Sequence, residues 1–203
     1  MMNDLMVHVV DDDAAVRDSI AFLLDSDGMA SRTYAGAAAL LARGQALEPG
    51  CIITDVRMPE ISGLEMVRRL KASGVALPVI VITGHADVPL AIEAMHAGVS
   101  DFIEKPFDDE MLLAAVRAAM AKGAEVRDQT VQANDIRARL DALSARERQV
   151  LDGLVAGHAN KVIAYDLDIS PRTVEVYRAN VMTKMQARSL SELVRMTLVT
   201  KPA

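Results

Sequence analysis

The sequence has 203 residues, of which 51% are hydrophobic and 25% are charged. This length allows one large domain or two small ones, and the composition is that of an ordinary globular protein. No apolar run approaches the length of a membrane span, and the first residues lack the pattern of a secretory signal, so we expect no membrane association. The single cysteine, Cys51, cannot form an internal disulfide, and we expect a reducing, cytoplasmic setting.

The formal net charge of −6 is unevenly distributed along the chain. Residues 1–122 carry a net charge of −8, residues 123–143 carry −1 and residues 144–203 carry +3. An acidic front and a basic back predict two domains with different partners, and nucleic acid is a candidate partner of the second. A charge of +3 is equally compatible with an ordinary solvated surface, so charge alone does not decide between these readings.

Short apolar runs alternate with helical patterns in the first 122 residues. Strands are predicted at 6–10, 30–34, 51–53, 79–82 and 101–103. Helices are predicted at 14–25, 37–46, 64–72, 88–96 and from 108 onward. This alternation predicts an α/β fold with a five-stranded, doubly wound parallel sheet and helices on both of its faces.

Polar side chains lie at or just after the carboxyl ends of the predicted strands. They are Asp11, Asp12, Asp55, Thr83 and Lys105. Because parallel strands end at one edge of the sheet, we expect these side chains to converge. Pro59 keeps the preceding residue extended, so Asp55 leads into a loop and not directly into a helix. One alternative is that Asp55 merely starts a turn. Another is that all five are unrelated turn residues.

These residue types suit phosphoryl transfer. Clustered carboxylates repel one another, and a hard divalent cation such as Mg²⁺ removes that cost. A carboxylate can also act as a nucleophile and form an acyl phosphate. Phosphoryl transfer needs mainly positioning and neutralisation of charge, and Lys105 and Thr83 are suited to these roles. The pattern therefore predicts a magnesium-dependent phosphoryl-transfer site.

Residues 1–122 resemble the receiver domain of a two-component response regulator. The runs that carry the resemblance are VVDD at 9–12, TDVRMP at 54–59, VITG at 81–84 and FIEKPF at 102–107. The resemblance implies that Asp55 accepts a phosphoryl group from a sensor histidine kinase. It also implies that Asp12, Asp55 and the main-chain carbonyl of Arg57 bind Mg²⁺, with Asp11 assisting.

The same resemblance implies how the signal leaves the site. Thr83 would hydrogen-bond the phosphoryl group and Lys105 would pair with it, after a peptide bond to Pro106 that is typically cis. Phe102 would turn inward as Thr83 is drawn to the phosphate, although a plain core aromatic is an equal alternative. Receivers usually dimerise through the helix at 88–97, the fifth strand and the last helix, so we expect a homodimer on phosphorylation.

Structural roles are predicted for three further polar residues, Asp13, His85 and His96. Asp13 has no fixed role in the family, and we expect it to cap the first helix. His85 and His96 could be metal ligands, but no clustered histidines or cysteines support that reading. We expect both to be surface or hydrogen-bonded histidines.

Residues 123–143 are predicted to form a helical linker. Ile136, Leu140 and Leu143 recur at helical spacing with Arg137 and Arg139 between them. A surface helix packed on its own domain is an equal alternative. The predicted organisation is a receiver at 1–122, a helical linker at 123–143 and a second domain at 144–203.

Four short helices are predicted in the second domain. Ser144 and Glu147 form a capping box at the start of the first, and Pro171 follows the cap Ser170 at the start of the third. The first predicted helix runs from the cap Ser144 to Gly157, and the others are predicted at 160–167, 171–185 and 190–198. Four compact helices with a brief turn between the second and third predict an all-α helix-turn-helix domain.

The third helix of this domain has two different faces. Val174, Val181 and Met185 point toward a core together with Tyr177. On the other face the small side chain of Ala179 allows a close approach to bases, while arginine and lysine can hold phosphates. The alternative is a helical bundle whose third helix is simply solvated.

Residues 143–198 resemble the four-helix DNA-binding domain of the LuxR/NarL type. The matching runs are LSARERQVL at 143–151, NKVIA at 160–164, ISPRTV at 169–174 and LV at 193–194. In that family the third helix enters the major groove and the fourth makes a dimer contact. Base contact would then fall to Glu175, Val176 and Ala179. Phosphate contact would fall to Lys161, Arg172, Thr173, Tyr177, Arg178 and Lys184.

Over nearly its full length the chain resembles response regulators of the FixJ type. This resemblance rests on ITGHADVP at 82–89, DIRARL at 135–140 and AYDLDIS at 164–170. It implies a transcription regulator of nitrogen-fixation genes and not an enzyme, although similar regulators serve other genes. The phosphorylated homodimer would bind double-stranded promoter DNA.

Two other functions are alternatives to this interpretation. A phosphohydrolase with an aspartyl-phosphate intermediate, resembling the haloacid dehalogenase group, would need a second acid two residues after its nucleophile, and Arg57 occupies that position. A constitutive DNA binder, whose receiver only docks partners, would bind its operator equally well with and without acetyl phosphate.

Overall fold

The computed structural model describes residues 5–84 and 88–199, with side chains up to residue 198. The chain divides into two compact units between Val126 and Arg127. Each unit has its own apolar core, and each is described separately below. Among the described residues, no helix is both long enough and apolar enough to cross a bilayer.

The first unit is built on a five-stranded parallel sheet. The strands are β1 Met6–Val10, β2 Ser31–Tyr34, β3 Gly50–Asp55, β4 Val79–Thr83 and β5 Asp101–Glu104. The helices are α1 Ala14–Ser26, α2 Ala37–Leu41, α3 Gly63–Ala72, α4 Val88–Ala97 and the first part of α5 Asp109–Asp141. The strands pair in the order β2-β1-β3-β4-β5. The predicted doubly wound parallel sheet is confirmed.

Helices cover both faces of this sheet because its strands carry apolar side chains on both sides. Val7 and Val9 pack with residues of α1 and α5 in one apolar cluster. Val10 and Ile52 pack with residues of α2, α3 and α4 in the other. Since β3 lies between β1 and β4, all six of its residues are buried. The central strand therefore delivers its last residue, Asp55, to the edge of a rigid core.

Two helices differ from their predicted lengths. The helix predicted at 37–46 ends at Leu41 and is followed by a short 3₁₀ helix at Gly44–Ala46. Gly44 has φ of +50°, which does not continue a right-handed helix. The last receiver helix and the predicted linker form one helix of 33 residues, α5. A Cβ at Gly123 would lie 3.1 Å from Pro78, so glycine allows α5 to pass this residue closely.

The second unit contains the end of α5 and four further helices. They are α6 Ala145–Val155, α7 Asn160–Asp166, α8 Pro171–Met185 and α9 Leu190–Val199. Their core includes Leu151, Ile163 and Leu193, and Leu140 of α5 joins it. A Cβ at Gly153 would lie 2.8 Å from Ile163, so α6 and α7 approach closely at this glycine. The predicted helical domain is confirmed, while the exact domain boundaries remain a prediction.

Candidate functional site

Two buried carboxylates and one lysine meet at the carboxyl edge of the sheet. Asp11 follows β1 and Asp55 ends β3, and they are 3% and 9% exposed. The two residues come side by side because Val10 of β1 is in register with Thr54 of β3. Lys105 follows β5, and its Nζ lies 3.3 Å from Asp11 Oδ2 and 3.3 Å from Asp55 Oδ1. One ammonium group is thus shared by two carboxylates.

Main-chain amides fix the remaining oxygen of each carboxylate. The N–H of Arg57 donates to Asp55 Oδ2 at 2.8 Å, and the N–H of Asp13 donates to Asp11 Oδ1 at 2.9 Å. Arg17 of α1 donates from Nη1 to the main-chain oxygen of Asp11 at 2.6 Å. Because these bonds hold the carboxylates in place, one oxygen of each is directed toward the lysine.

A glycine that the sequence analysis overlooked lies against Asp55. The N–H of Gly63 donates to the main-chain oxygen of Val56 at 3.0 Å, where α3 begins after the cap residue Ser62. A Cβ at Gly63 would lie 2.1 Å from the main-chain oxygen of Asp55. Only glycine therefore allows α3 to start this close to the end of β3. The signal in the sequence was a glycine directly after a helix cap.

The predicted magnesium ligands fall into a buried and an exposed group. Asp12 and Arg57 are exposed, and both line an open groove of 620 Å³ together with Val56 and Ser62. Asp12 makes no side-chain hydrogen bond or ion pair among the described residues. Within the described part of the chain no three His, Cys, Asp or Glu side chains form a ready-made metal site. Carboxylate oxygens that already gather around one cation nevertheless fit Mg²⁺, which is held by few protein ligands and keeps several waters.

The remaining predicted receiver residues lie on or beside β4 and β5. Thr83 is buried at the end of β4, and its main-chain oxygen accepts the N–H of Lys105 at 2.8 Å. Phe102 is half-buried opposite Val81 and packs against the apolar cluster on the α2–α4 side of the sheet. The peptide bond between Lys105 and Pro106 is cis, as the resemblance implied.

Asp13 and Cys51 have structural roles in the receiver unit, and His96 lies at its surface. Asp13 caps α1, as expected, by accepting the N–H of Ala15 at 2.8 Å. His96 is exposed, whereas His85 lies outside the described residues. Cys51 is fully buried in β3, and desolvation raises the pKa of its thiol to about 12, so this thiol is unreactive at neutral pH.

A buried histidine in β1 was not singled out by the sequence analysis. His8 is fully buried, and its ring nitrogens lie 3.1 Å from the hydroxyl of Tyr34 and 3.0 Å from the main-chain oxygen of Glu48. Desolvation by burial lowers the pKa of His8 below its ordinary value. The sequence around His8 did not indicate this role, because the residues that contact its ring come from distant parts of the chain.

In the second unit, α8 presents an exposed stripe of side chains. The predicted base contacts Glu175, Val176 and Ala179 are all exposed. Asn180 and Thr183 extend this stripe and are also exposed, although the sequence analysis had not selected them. Residues three and four apart lie on one helical face, so these side chains form a continuous surface. An asparagine amide can pair with the edge of an adenine, which makes Asn180 a further candidate for base contact.

The predicted phosphate contacts occupy different environments. Lys161 and Arg172 are exposed, while Arg178 and Tyr177 are half-buried and Tyr177 packs against the core. The hydroxyl of Thr173 lies 2.8 Å from that of Ser170 at the cap of α8. These side chains are therefore not equally free to reach a phosphate.

Lys184, near the end of α8, has an internal partner. Its Nζ lies 2.7 Å from Oε2 of Glu147, a carboxylate that is only 4% exposed. The same oxygen accepts the N–H of Ser144 at 2.7 Å, which completes the predicted capping box. The hydrogen bond from Lys184 is the largest cause that lowers the pKa of Glu147 below its ordinary range. The ammonium of Lys184 therefore joins α8 to the start of α6.

Comparison with known families accounts for both units. Residues 7–117 match the family described as the response regulator receiver domain. Residues 141–197 match the bacterial regulatory proteins of the luxR family. The chain belongs to the response regulators. Receiver domains generally bind Mg²⁺ for phosphorylation, and the relatives that match both units are transcription regulators.

This response regulator has relatives that match it along nearly its full length. It is 60% identical over 199 residues to the transcriptional regulatory protein FixJ of Azorhizobium caulinodans, covering 98% of this chain and 94% of that protein. The protein of the same name from Rhizobium meliloti is 55% identical over 201 residues, and 97% of each chain is covered. The predicted FixJ-type assignment is thereby confirmed.

Solved structures of response regulators also resemble it. The response regulator StyR has a TM-score of 0.86 at 36% identity, covering 96% of this chain and 98% of that one. Full-length FixJ from B. japonicum has a TM-score of 0.60 at 50% identity, covering 98% of both chains. The fold and the pairing of a receiver with a luxR-family domain are therefore those of full-length response regulators.

Proposed function

We propose that this response regulator is switched by phosphorylation of Asp55 and then binds promoter DNA as a homodimer through α8. The observation that carries the proposal is the position of Asp55. This carboxylate ends the central strand, and its Oδ1 lies 3.3 Å from a lysine ammonium that also contacts Asp11. We assign the receiver to residues 1–122, the helical linker to 123–143 and the DNA-binding domain to 144–203.

In the proposed reaction Asp55 is the nucleophile. Its Oδ2 is held by the N–H of Arg57, so Oδ1 attacks the phosphorus of a phosphohistidine on the sensor kinase. A new P–O bond forms as the P–N bond breaks, and the departing imidazole takes up a proton from solvent. Lys105 neutralises part of the charge on the transferred group. The reaction needs no general base, because the carboxylate attacks in its ionised form.

Mg²⁺ would be held by Asp12, Asp55 and the main-chain carbonyl of Arg57, with Asp11 assisting. The ion supplies neutralisation of the phosphoryl charge. The contributions of this chain are the orientation of Asp55 by the N–H of Arg57 and the fixed position of Asp11, whose Oδ1 accepts the N–H of Asp13.

The phosphoryl group must then favour one shape of the receiver over another. It adds a charge of about −1.5 to −2 at Asp55. Moving a population from about 1:99 to 99:1 takes differential stabilisation of roughly 5.5 kcal/mol, which contacts of the phosphoryl group with Thr83 and Lys105 would supply. Phe102 is half-buried, and it would turn inward as Thr83 is drawn to the phosphoryl group. Thr83 and Phe102 would thus carry the change from the site to the neighbouring surface.

The surface that would dimerise is apolar and exposed. Val88, Ile92 and Met95 of α4 are all exposed, as is Met111 of α5. Exposed apolar side chains grouped on one helix, as on α4, are typical of protein–protein contacts. Two paired chains would place two copies of α8 over half-sites about one DNA turn apart. Base contacts would come from Glu175, Val176 and Ala179. Phosphate contacts would come from Lys161, Arg172, Thr173, Tyr177, Arg178 and Lys184.

The proposal is tested by sedimentation and DNA footprinting of wild type and Asp55→Asn, each with acetyl phosphate and Mg²⁺. We expect wild type to dimerise and protect a defined site, and we expect Asp55→Asn to do neither. Asp25→Asn removes an exposed carboxylate of α1 and should behave as wild type. If Asp55→Asn responds to the phosphodonor as wild type does, Asp55 is not the switch. Equal binding by wild type with and without the phosphodonor would instead identify a constitutive DNA binder.

A further inference from the structure

At the carboxyl end of α8, main-chain oxygens accept hydrogen bonds from main-chain N–H groups and from a side chain of another helix. The N–H of Ala187 donates to the main-chain oxygen of Met182 at 3.0 Å, and the N–H of Gln186 donates to that of Thr183 at 3.1 Å. Gln186 has φ of +54°, so the helix ends in a Schellman motif. That motif leaves the last carbonyls of the helix without main-chain partners. One of them, on Met185, accepts a hydrogen bond from Arg139 Nη1 at 3.0 Å.

Arg139 belongs to the last turns of α5 and is held in place there. Its Nη2 donates to Asp135 Oδ2, one turn earlier on the same helix. The side chain of Arg139 is only 23% exposed, so this contact is partly shielded from solvent. A cation at the carboxyl end of a helix is favoured by the helix dipole, and a fixed guanidinium loses little further freedom when it binds a carbonyl. The contact therefore defines where α8 ends relative to α5.

We propose that Arg139 is a positioning residue for DNA recognition, which sets the orientation of α8 through the carbonyl of Met185. This inference rests on the proposed function, in which α8 reads the bases. Glu175 lies ten residues before Met185, or about 15 Å along the helix axis. A small tilt at the anchored end therefore becomes a displacement at the base contacts. Since base readout depends on the geometry of hydrogen bonds, such a displacement lowers specificity more than it lowers attraction to the phosphates.

The experiment compares binding of the full chain to two DNA duplexes, with acetyl phosphate and Mg²⁺ present. One duplex is the sequence that wild type enriches most from a randomised pool, and the other is a scrambled version of it. We expect Arg139→Ala to bind the enriched duplex about tenfold more weakly, comparable to the loss of one base-pair contact, and to bind the scrambled duplex with nearly unchanged affinity. The slope of log affinity against log salt should stay at its wild-type value, because no phosphate contact is removed.

Matched variants distinguish positioning from loss of charge. Arg137→Ala removes the same charge from the same helix, but Arg137 is exposed and has no side-chain partner among residues 5–84 and 88–199. It should bind both duplexes as wild type does. Arg139→Lys keeps a cation beside the carbonyl of Met185 and should recover part of the lost affinity. If Arg139→Ala fails to fold, Asp135→Ala leaves the guanidinium present but unrestrained, and should show the same selective loss in smaller measure.

Several outcomes would overturn the inference. One is that Arg139→Ala binds the two duplexes as Arg137→Ala does. Another is an equal loss on both duplexes with a salt slope smaller by about one, which would identify a phosphate contact. Absence of selective loss in Asp135→Ala, should that variant be needed, would also overturn it. If wild type enriches no duplex at all, the proposed function fails and its dependent inference fails with it, whereas the other outcomes leave the proposed function standing.

Discussion

The two units of this response regulator place their functional side chains differently with respect to their cores. In the receiver, Asp11 and Asp55 are buried and share contacts with Lys105. In the DNA-binding unit, Glu175 and Val176 stand on the exposed face of α8, away from the core. We therefore expect substitutions at Asp11 or Lys105 to change the stability of the receiver, whereas the exposed DNA contacts Lys161, Glu175 and Val176 should be removable without such a change.

The difference follows from what each site must do. Phosphoryl transfer depends on charges that are fixed in advance within a partly dry environment, so its residues must be held by the core. DNA binding depends on side chains that reach outward to phosphates and base edges, so its residues must remain exposed. The predictions below test this contrast, beginning with the largest expected effect.

Gly63→Ala should be the most damaging single substitution near the receiver site. The new Cβ would lie 2.1 Å from the main-chain oxygen of Asp55, and a backbone atom cannot give way as a side chain does. We expect the free energy of unfolding of the receiver to fall by about 3 kcal/mol, with loss of phosphorylation. Hydrogen exchange of peptides from β3 measures this effect within the receiver alone.

Gly36→Ala is the matched control for this substitution. Gly36 belongs to the same unit, and a Cβ there would meet nothing within 4 Å. Gly36 is the cap residue of α2, where alanine is less favoured than glycine, so we expect a change of at most about 1 kcal/mol, well below that of Gly63→Ala. Equal protection of the β3 peptides in both variants would show that the end of β3 tolerates displacement, and that the site is less closely tied to the core than we infer.

Lys105→Met should destabilise the receiver and change its response to Mg²⁺. Removing the ammonium leaves Asp11 and Asp55 facing each other without a cation. Because Lys105 is 27% exposed, solvent screening reduces the cost, and we expect a loss of about 2 kcal/mol in the absence of metal. Millimolar Mg²⁺ should restore more stability to this variant than it adds to wild type, since the ion can take over the neutralisation.

Urea unfolding with and without Mg²⁺ measures both parts of the Lys105 prediction. Lys122→Met, which removes an exposed lysine of α5, should leave the stability and its dependence on Mg²⁺ unchanged. A Lys105→Met variant that is as stable as wild type without metal would mean that the two carboxylates do not need this lysine. The inference that the charged residues of the receiver site determine its stability would then be wrong.

The convergence of Asp11, Asp55 and Lys105 could be predicted because it depends only on topology. Each residue lies at the carboxyl end of a strand, and the alternation of strands and helices makes those ends meet at one edge. The exposed face of α8 was likewise predictable from helical periodicity. In both cases a short pattern in the sequence determines the direction in which a side chain points.

Contacts between distant segments could not be predicted in this way. Gly63 is significant only because α3 begins against the end of β3, and His8 only because Tyr34 and Glu48 close around it. The partner of Lys184 lies 37 residues away in the sequence. No local pattern encodes such pairs, since they arise from the packing of elements whose separation the sequence does not reveal.

His8 should make the stability of the receiver depend on pH in the mildly acidic range. Burial lowers the pKa of His8 below the value of about 6.5 that it has when unfolded. Below that value the unfolded chain therefore binds a proton at His8, whereas the folded chain binds it only at lower pH. The contribution of His8 to the free energy of unfolding is therefore complete above about pH 6.5. As the pH falls below that value, the free energy of unfolding declines by at most about 1.4 kcal/mol per pH unit.

The pH prediction is checked by hydrogen exchange of β1 peptides between about pH 7.5 and 5.5, after correction for intrinsic rates. His8→Gln should remove the decline, while His96→Gln, a change at an exposed position of α4, should keep it. Peptides from α6 provide a reference for the pH dependence of the second unit. A decline that persists in His8→Gln would assign the effect to other groups.

The smallest predicted effects come from two lysines of the second unit. Lys161 is exposed and has no side-chain partner among the described residues, whereas Lys184 is paired with the buried carboxylate of Glu147. Lys161→Met should lower the slope of log affinity against log salt by about one and leave the melting temperature unchanged. Lys184→Met should lower the melting temperature by a few degrees and change the slope less, because its ammonium is already engaged within the protein. If Lys184→Met instead changes the slope by as much as Lys161→Met, the ion pair with Glu147 opens on DNA. Lys184 would then bind DNA in the same way as the exposed side chains of α8. The contrast between a buried receiver site and exposed DNA contacts would then hold for every cation of that helix.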